Sequence, residues 1–287
     1  MYLATVMMKA ILFFALCNVI SVSDGFLFSR YNTPEWNSLR VTWSPFPIGP
    51  YAFTSMPRTT YDAFNEGYNK ISGCEDMNSF KGNRFVKGRD YSVVLLYGVN
   101  GYIAGIQIGV PHVDGAEFPP AKQVNQTFVQ VGDMYFLTAY FTNPATICSN
   151  GRTAENFAAN GTGNTLYIQN GTNPVANSLE IPMNESGLAS TKWTRGHCFF
   201  SMGVHYWYDV ESDMPCDDFF PVFLLYNRGR LNAFGWAIGM DMTSPRMEHP
   251  PHDVIQTFMN PVPQCLLNIP RLSTMHIYMA NPLLNFC

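Results

Sequence analysis

The amino-acid sequence predicts a β-rich α+β fold in which two internally duplicated, hairpin-containing halves pack as a sandwich- or barrel-like secreted domain. Three observations carry this prediction: a colinear internal repeat, paired β-prone runs around turn signals, and an N-terminal apolar segment followed by an even number of cysteines. The chain has 287 residues, of which only 13% are charged. So little charge argues against a disordered chain, a coiled coil or a polybasic nucleic-acid binder, so we expect no nucleic-acid partner.

The N-terminus has the layout of a secretory signal peptide. Lys9 precedes an apolar run at residues 10–20, and small polar residues extend to Ser23. The run is shorter than the ~20 residues that a membrane span needs, and later apolar stretches are interrupted by polar side chains. We therefore predict cleavage after residue 23 and an extracellular mature chain without a transmembrane segment.

An internal repeat divides the remaining chain. Short motifs recur in the same order, with gaps that differ by about one residue, which chance does not explain. The matched segments are 95–97 with 224–226, 105–109 with 235–239, 117–120 with 248–251, 124–128 with 254–258, and 140–144 with 278–282. The repeat predicts a first half at residues 24–148, a Gly/Asn-rich connector at 149–189 and a second half at 190–287.

Six cysteines remain after removal of the predicted signal peptide. An even number in an oxidising compartment predicts three disulfides, with fifteen possible connectivities. If equivalent cysteines of the two copies pair equivalently, Cys74-Glu-Asp matches Cys216-Asp-Asp, and Cys148 matches Cys287. The predicted pairs are therefore Cys74–Cys148, Cys216–Cys287 and Cys198–Cys265.

Four Asn-x-Ser/Thr sequons are present, and three of them fall in the predicted connector. Such sequons accept N-linked glycans in secreted proteins, and sugars would solvate a chain with few surface charges. The predicted glycosylation sites are Asn125, Asn160, Asn170 and Asn184.

The strands are predicted from β-prone runs around turn residues. Residues 93–97 and 102–110 flank Asn100-Gly101, a strong hairpin signal, and residues 220–226 and 231–238 flank a turn at Gly229. Further strands are predicted at 127–131, 134–142 and 275–279. The runs are continuously apolar instead of alternating, which predicts strands that are covered on both faces.

Helix is predicted in only two places. Thr59 followed by Asp62 resembles an N-terminal cap, and apolar residues recur at helical spacing through Ile71. Residues 253–259 follow two prolines and could form a short helix, although their match to the strand-like segment 124–129 favours a strand.

Histidines concentrate in the second half and include the cluster Glu248-His249-Pro-Pro-His252. The prolines make this cluster extended, so it lacks the helical spacing of the His-Glu-x-x-His zinc motif. With His205 arriving from elsewhere, these four residues are candidate acid/base groups, and His249 and His252 are candidate metal ligands. The alternative is a set of ordinary loop histidines.

The densest aromatic cluster is His205-Tyr206-Trp207-Tyr208, and Tyr206, Trp207 and Tyr208 are candidate ligand-binding residues. In a strand the four side chains alternate, with His205 and Trp207 on one face. A core tryptophan with a hydrogen-bonded tyrosine explains the cluster equally well.

Several carboxylates occupy matched positions in the two halves. Glu117 and Glu248 each lie two residues before Pro-Pro, and Asp76 and Asp218 each follow a cysteine by two residues. They could face one another as a general acid and base, or cap turns and pair with arginines. The repetition itself favours the structural interpretation.

A further acidic stretch carries alternating carboxylates at Asp209, Glu211 and Asp213. It lacks the glycine and the final glutamate of an EF-hand, which leaves only an irregular calcium loop as an alternative. No nucleophile elbow, phosphate loop or dinucleotide fingerprint is present in the sequence.

From these features we expect a secreted, disulfide-bonded glycoprotein that acts as an extracellular binding or interaction module for a small apolar ligand or a glycan. The rival expectation is a secreted metal-dependent or acid/base enzyme, a hydrolase or oxidoreductase, with its site in the second half. A structural matrix protein is a third possibility, but such chains are often low in complexity and this one is varied.

Overall fold

The computed structural model describes residues 34–46, 49–76, 79–115 and 118–287, which belong to one compact unit. The predicted signal peptide and Glu117 lie outside the described residues. None of the helices within these ranges is long and apolar enough to cross a membrane.

Strands dominate the described residues, and every pair is antiparallel. In chain order they are β1 (Arg40–Val41), β2 (Thr54–Ser55), β3 (Tyr68–Ser72), β4 (Asn83–Lys87), β5 (Val94–Tyr97), β6 (Ile103–Pro111), β7 (Val129–Val131), β8 (Met134–Tyr140), β9 (Leu166–Gln169), β10 (Ser178–Ile181), β11 (Trp193–Phe199), β12 (Gly203–Tyr208), β13 (Val222–Asn227), β14 (Arg230–Ile238) and β15 (Ser273–Tyr278). The predicted β-rich class is confirmed.

The strands form two sheets. Sheet I has the order β10-β9-β8-β6-β5-β4-β3, with β7 paired to β8, and sheet II has the order β11-β12-β13-β14-β15-β1-β2. Each sheet thus contains a run of five strands that follow one another in chain order: β3-β4-β5-β6-β8 in sheet I, where only the short β7 is skipped, and β11 to β15 in sheet II. Two further strands extend each sheet beyond its fifth strand.

Helices are few and short among the described residues. They are α1 (Thr60–Asn65), α2 (Pro144–Ile147), α3 (Ala154–Asn160) and α4 (His252–Ile255), with 3-10 turns at Ala121–Gln123, Glu185–Ser190, Cys216–Asp218, Gln264–Leu267 and Pro282–Leu284. The predicted cap of α1 is confirmed, because the Thr59 side chain accepts from the Asp62 N–H. The helix is shorter than its apolar pattern suggested, since Gly67 has φ +84° and β3 begins at Tyr68.

The main core lies between the two sheets, which therefore form a sandwich. Alternate residues of both sheets enter it, among them Leu95 and Ile106 of sheet I and Leu224 and Phe234 of sheet II. The indole N–H of Trp36 donates to the Leu231 carbonyl at 2.9 Å and ties the N-terminal segment to β14.

Both sheets are also covered on their outer faces. Smaller apolar clusters lie outside sheet I, and a larger one around Trp207, Phe223 and Leu225 lies outside sheet II. Segments around α4 and the turn Gln264–Leu267 cover this second face. This confirms the double coverage that the continuous apolar runs predicted.

The predicted hairpins are present. Gly101 has φ +78° in the β5–β6 turn, and both Arg228 and Gly229 have positive φ in the two-residue β13–β14 turn. Positive φ at both central positions is typical of a type I′ turn, whose twist matches that of the flanking strands.

The cysteines among the described residues form three disulfides. Of the three predicted pairs, the structure confirms Cys74–Cys148. The predictions Cys216–Cys287 and Cys198–Cys265 are wrong, because the observed pairs are Cys198–Cys287 and Cys216–Cys265.

The error has a structural reason. Cys74 follows β3, the first of the five consecutive strands of sheet I, and Cys198 lies in β11, the first strand of sheet II. Both bond to a cysteine beyond the fifth strand, Cys148 after β8 and Cys287 after β15. By position in the sheet, Cys74 therefore corresponds to Cys198 and not to Cys216, so the short Cys-acid-acid similarity was misleading.

Candidate functional site

A pocket of about 310 Å³ lies on the outer face of sheet II. Its floor consists of outward-facing residues of β12, β13 and β15: His205, Trp207, Phe223, Thr274 and His276. The walls come from the segment after β1, the β11–β12 turn, residues 247–251 and the α4 region. Apolar and aromatic side chains therefore form most of the pocket surface.

A glycine in β14 allows the floor to form. Gly235 lies opposite Phe223 on one side and His276 on the other. A Cβ at this position would lie 2.2 Å from Phe223 Cζ and 2.5 Å from the Met275 carbonyl oxygen. Without that Cβ, the Phe223 ring packs over β14 and contacts His276 with 5.0 Å between the ring centroids.

A buried, hydrogen-bonded pair of side chains, Glu248 and His276, forms one side of the pocket. Glu248 bridges to Thr274 beside β15, where its backbone exchanges two hydrogen bonds of 2.8 Å with Thr274. This pairing places Glu248 Oε2 2.6 Å from His276 Nδ1, and the two side chains are 11% and 6% exposed.

The carboxylate of Glu248 is fully engaged. Oε1 accepts the backbone N–H of Trp43 at 2.6 Å and that of His276 at 3.1 Å, while Oε2 also accepts the Thr274 hydroxyl at 3.0 Å. Burial alone raises the pKa of Glu248, but the His276 interaction and the two N–H donors outweigh burial and lower it. Glu248 is therefore an anion held inside an apolar pocket.

The second ring nitrogen of His276 lacks a partner. An ionised carboxylate only accepts hydrogen bonds, so His276 Nδ1 donates its proton to Glu248. Nε2 is fully buried, and no group in the described part of the chain bonds to it. A buried polar atom without a partner costs about 1–3 kcal/mol.

His205 has a different role in the pocket. Its ring packs against Phe258 at 5.4 Å and Trp207 at 6.3 Å, and its Nδ1 lies 3.2 Å from the His197 carbonyl oxygen. Burial, together with the neighbouring His276, lowers the pKa of His205 to about 3. His205 is therefore neutral near pH 7 and acts as part of the aromatic wall.

The structure brings four predicted site residues to this pocket, namely His205, Trp207, Glu248 and His249. His249 Nε2 lies 3.1 Å from the Met242 carbonyl oxygen and 3.4 Å from an Asp241 carboxylate oxygen. His249 therefore lines the pocket, while its Nε2 contacts residues that lie outside the pocket lining.

His252 is separated from the pocket by Pro250 and Pro251. It begins α4 and lines a different depression with Gln256 and Leu267. Within the ranges that the structure describes, no three His, Cys, Asp or Glu side chains are arranged to hold a metal ion. The structure thus does not assemble His249 and His252 into a metal-ligand set.

The aromatic cluster alternates as predicted. Trp207 lies on the outer face, and its Nε1 donates to the Phe258 carbonyl at 3.2 Å. Tyr206 lies in the inter-sheet core and donates to Glu185 Oε1 at 2.7 Å, and Tyr208 packs against Trp193 and Phe220. Tyr206 and Tyr208 are therefore away from the pocket.

The other matched carboxylates have local partners. Asp76 accepts the Gly73 N–H at 2.6 Å, Asp218 pairs with Lys122, and Asp209 pairs with Lys192. These contacts agree with the structural interpretation of the acidic residues.

The residue that sequence reasoning missed is His276. The signal was available in the alternation of residues 273–278, which puts Thr274, His276 and Tyr278 on one face of a strand. It becomes meaningful only once Glu248 is known to lie beside that strand.

Comparison of the chain with protein-family models, with curated proteins and with solved structures finds no match. The identity of the site therefore follows from its own geometry: an apolar aromatic pocket that contains a buried Glu248–His276 pair.

Proposed function

We propose that the protein is an extracellular binding protein that holds a small, largely apolar ligand in the pocket on sheet II. One observation carries the proposal: a concave pocket of about 310 Å³ is lined mostly by aromatic and other apolar side chains, with the buried Glu248–His276 pair in its wall. Ligand sites are typically concave and apolar, with a few polar groups that fix orientation, and measure ~300–1,000 Å³.

The chemistry of the walls favours an apolar ligand over a glycan. A sugar carries many hydroxyls, each of which needs a partner when it is buried. The Glu248 oxygens, the Thr274 hydroxyl and the Trp207 N–H are already bonded within the protein. Aromatic and Met side chains form most of the remaining surface.

We also infer that the chain is secreted and glycosylated. Three disulfides support an oxidising compartment, in agreement with the signal-like N-terminus. The sequon residues Asn125, Asn170 and Asn184 are exposed, and Asn160 is half-buried, so all four are compatible with attached sugars.

We infer further that the two sheets derive from an internal duplication. The matched five-strand order and the matched disulfides Cys74–Cys148 and Cys198–Cys287 support it. Under this inference Cys216–Cys265 is an addition to the second copy.

Fluorescence titration with N-phenyl-1-naphthylamine, a neutral apolar probe, tests the binding function. We expect saturable binding to the purified protein that a Val254→Trp substitution weakens at least tenfold, because Val254 lines the pocket. The matched control is Gln256→Trp, which places the same side chain on the exposed side of the α4 segment. No saturable binding, or equal binding by both variants, would refute the proposal.

The alternative acid/base enzyme is favoured by one observation, the hydrogen bond between the Glu248 carboxylate and His276 Nδ1. A carboxylate that orients a histidine is the arrangement that general-base catalysis uses. Under this alternative the purified protein hydrolyses p-nitrophenyl acetate above the background rate, and His276→Gln abolishes the excess. A rate equal to that of the variant argues for binding without turnover.

A further inference from the structure

We propose that the protein docks on lipid membranes through a cluster of exposed apolar side chains beside the sheet II pocket. The cluster lies on the β11–β12 turn and on the segment of the chain that follows β15. We call it the Phe200 surface, and its members are Phe200, Leu283, Leu284 and Phe286. The inference goes beyond the proposed ligand binding and does not require it.

The side chains of the Phe200 surface project into solvent. Phe200, Leu284 and Phe286 are 59%, 61% and 57% exposed. The Phe200 and Phe286 rings pack on each other with 5.5 Å between their centroids. Single exposed apolar residues are ordinary on a protein surface, but a cluster of large ones marks a place of contact with another body.

Polar contacts hold the segment after β15 in a fixed conformation. The Asn285 side chain is buried and donates to the Met202 carbonyl at 3.3 Å. Asn227 Oδ1 accepts the backbone N–H groups of Phe286 and Cys287 at 3.0 and 2.8 Å, and Cys287 is also disulfide-bonded to β11. The apolar side chains are therefore preorganised, so the segment loses little conformational entropy when it binds.

The Phe200 surface and the pocket share the β11–β12 turn. The exposed Phe200 lies in sequence between Phe199 and Met202, which both line the pocket. Trp43 also lines the pocket, and its indole N–H donates to Ser201 Oγ in the same turn at 2.8 Å. Because small apolar compounds partition from water into lipid, docking at this turn brings the pocket to a reservoir of such ligands.

The charge around the Phe200 surface fits a membrane that contains anionic lipids. The whole chain has a formal net charge of −4, but residues 198–208 and 272–287 contain no acidic side chain. Arg228, next to Asn227 in the β13–β14 turn, is exposed. This cation beside apolar side chains matches an anionic headgroup layer above an apolar interior, whereas the acidic side chains elsewhere on the molecule are repelled by it.

The size of the cluster favours lipid over a protein partner. A stable protein interface needs ~20–30 residues on each side, packed against a complementary surface. Phenylalanine and leucine side chains that project from turns can instead enter the boundary between headgroups and acyl chains, where no complementary shape is needed. Four such side chains give a reversible membrane contact of modest affinity.

Flotation with lipid vesicles tests the inference on the purified protein. We expect the protein to float with vesicles of mixed phosphatidylcholine and phosphatidylglycerol, and a Phe200→Ser/Phe286→Ser variant to bind them about tenfold more weakly. The matched control is Val113→Ser/Val175→Ser, which removes two exposed side chains from the loops after β6 and β9 and should bind like the unaltered protein. No flotation, or equal losses in both variants, would overturn the inference.

Two further variants test the charge and the inserted side chain. Arg228→Gln should weaken binding to the mixed vesicles about fivefold and leave binding to pure phosphatidylcholine unchanged. The tryptophan added by Phe200→Trp should be quenched by vesicles with brominated acyl chains, whereas that added by Val175→Trp should not. Equal quenching of the two added tryptophans, or of neither, contradicts insertion at the Phe200 surface.

The remaining outcomes separate the membrane from a second copy of the chain and from the pocket. A dimer in lipid-free buffer that Phe200→Ser/Phe286→Ser abolishes, detected by sedimentation equilibrium, would assign the surface to self-association and overturn the inference. Saturable binding of N-phenyl-1-naphthylamine without flotation would overturn the membrane contact and leave the binding function intact. Flotation without saturable probe binding would support the membrane contact and refute the binding function.

Discussion

The outer faces of the two sheets have the same strand arrangement, but side chains fill the centre of one face and a pocket lies on the other. On sheet I, Gln107 of β6 lies between Val94 and Thr138. Its side chain accepts from Arg84 Nε at 2.8 Å and donates to Thr138 Oγ1 at 2.9 Å, so hydrogen-bonded side chains fill the centre of the face. The Arg84 guanidinium lies 4.3 Å from the centre of the Phe136 ring, which covers it.

On sheet II the same register position holds no side chain. Gly235 of β14 lies between Phe223 and His276, as Gln107 lies between Val94 and Thr138. On sheet I, the Thr138 hydroxyl accepts a hydrogen bond from Gln107. At the corresponding position on sheet II, His276 Nε2 has no hydrogen-bond partner among the described residues. The difference between a filled face and a pocket therefore depends on a few residues in a shared framework, above all on a glycine in the fourth of five strands.

The largest effect is expected from breaking the buried Glu248–His276 pair. A Glu248→Leu substitution leaves the Trp43 and His276 N–H groups and His276 Nδ1 without their acceptor. We expect the free energy of unfolding to fall by about 3–5 kcal/mol, as measured by urea denaturation. The control Glu211→Leu alters an exposed side chain and should change the free energy of unfolding by about 0.5 kcal/mol or less. Similar losses in both variants would mean that the pair is not a structural element of sheet II.

Acid should destabilise the protein through His205. The unfolded chain binds a proton at the usual histidine pKa of ~6.5, but the folded protein binds it only near pH 3, so the unfolded state takes up more protons between these values. Stability therefore decreases as pH falls through this window, by about 2 kcal/mol between pH 6.5 and 4.5. The lowered pKa of Glu248 acts in the same direction at more acidic pH.

Thermal unfolding at a series of pH values separates this contribution. A His205→Phe variant should lose less stability than the unaltered protein over the same pH interval. The control His252→Phe, at the start of α4, should lose as much stability as the unaltered protein. Parallel curves for all three proteins would show that His205 is not the group responsible.

A Gly235→Ala substitution should fill part of the pocket on sheet II. Its Cβ would lie 2.2 Å from Phe223 Cζ and 2.5 Å from a backbone oxygen, so Phe223 must move into the pocket. We expect a loss of about 2 kcal/mol in unfolding free energy and at least a tenfold loss of probe affinity. The control Gly49→Ala adds a Cβ with 3.7 Å to its nearest neighbour and should leave both unchanged. Unchanged probe affinity in Gly235→Ala would refute the role of the glycine.

The smallest effect is expected on sheet I. Thr138→Val removes the acceptor of Gln107 Nε2 and should lower the unfolding free energy by about 1 kcal/mol without changing probe affinity. Thr194→Val on β11 serves as the control and should have a smaller effect. A loss of probe binding in Thr138→Val would show that the two faces are coupled.

The sequence predicted those features that depend on local chemistry. Asn100-Gly101 predicted a hairpin because glycine accepts the positive φ of the turn, and the alternation at His205 and Trp207 follows from strand geometry. Glu248 was singled out by its repeated position, and the structure places it in the pocket.

The missing parts depend on contacts between distant residues. His276 is a site residue only because residues 247–249 lie beside β15, which no local pattern of His276 shows. The disulfides were mispaired because a three-residue similarity at Cys216 was preferred over strand position. The proposed metal ligands His249 and His252 are close in sequence, but the intervening prolines turn them toward different surfaces.

The N-terminal segment completes the site from the far end of the chain. Arg40 pairs with Tyr278, and the Trp43 N–H reaches the Glu248 carboxylate. During synthesis β1 therefore emerges long before its partner β15, and the edge of β1 that faces β15 stays unpaired until β15 has been made. Contacts of such sequence separation are slow to form, so the pocket should be among the last parts of the molecule to mature. A nascent or N-terminally clipped chain would then fold much of sheet I yet lack a competent binding site.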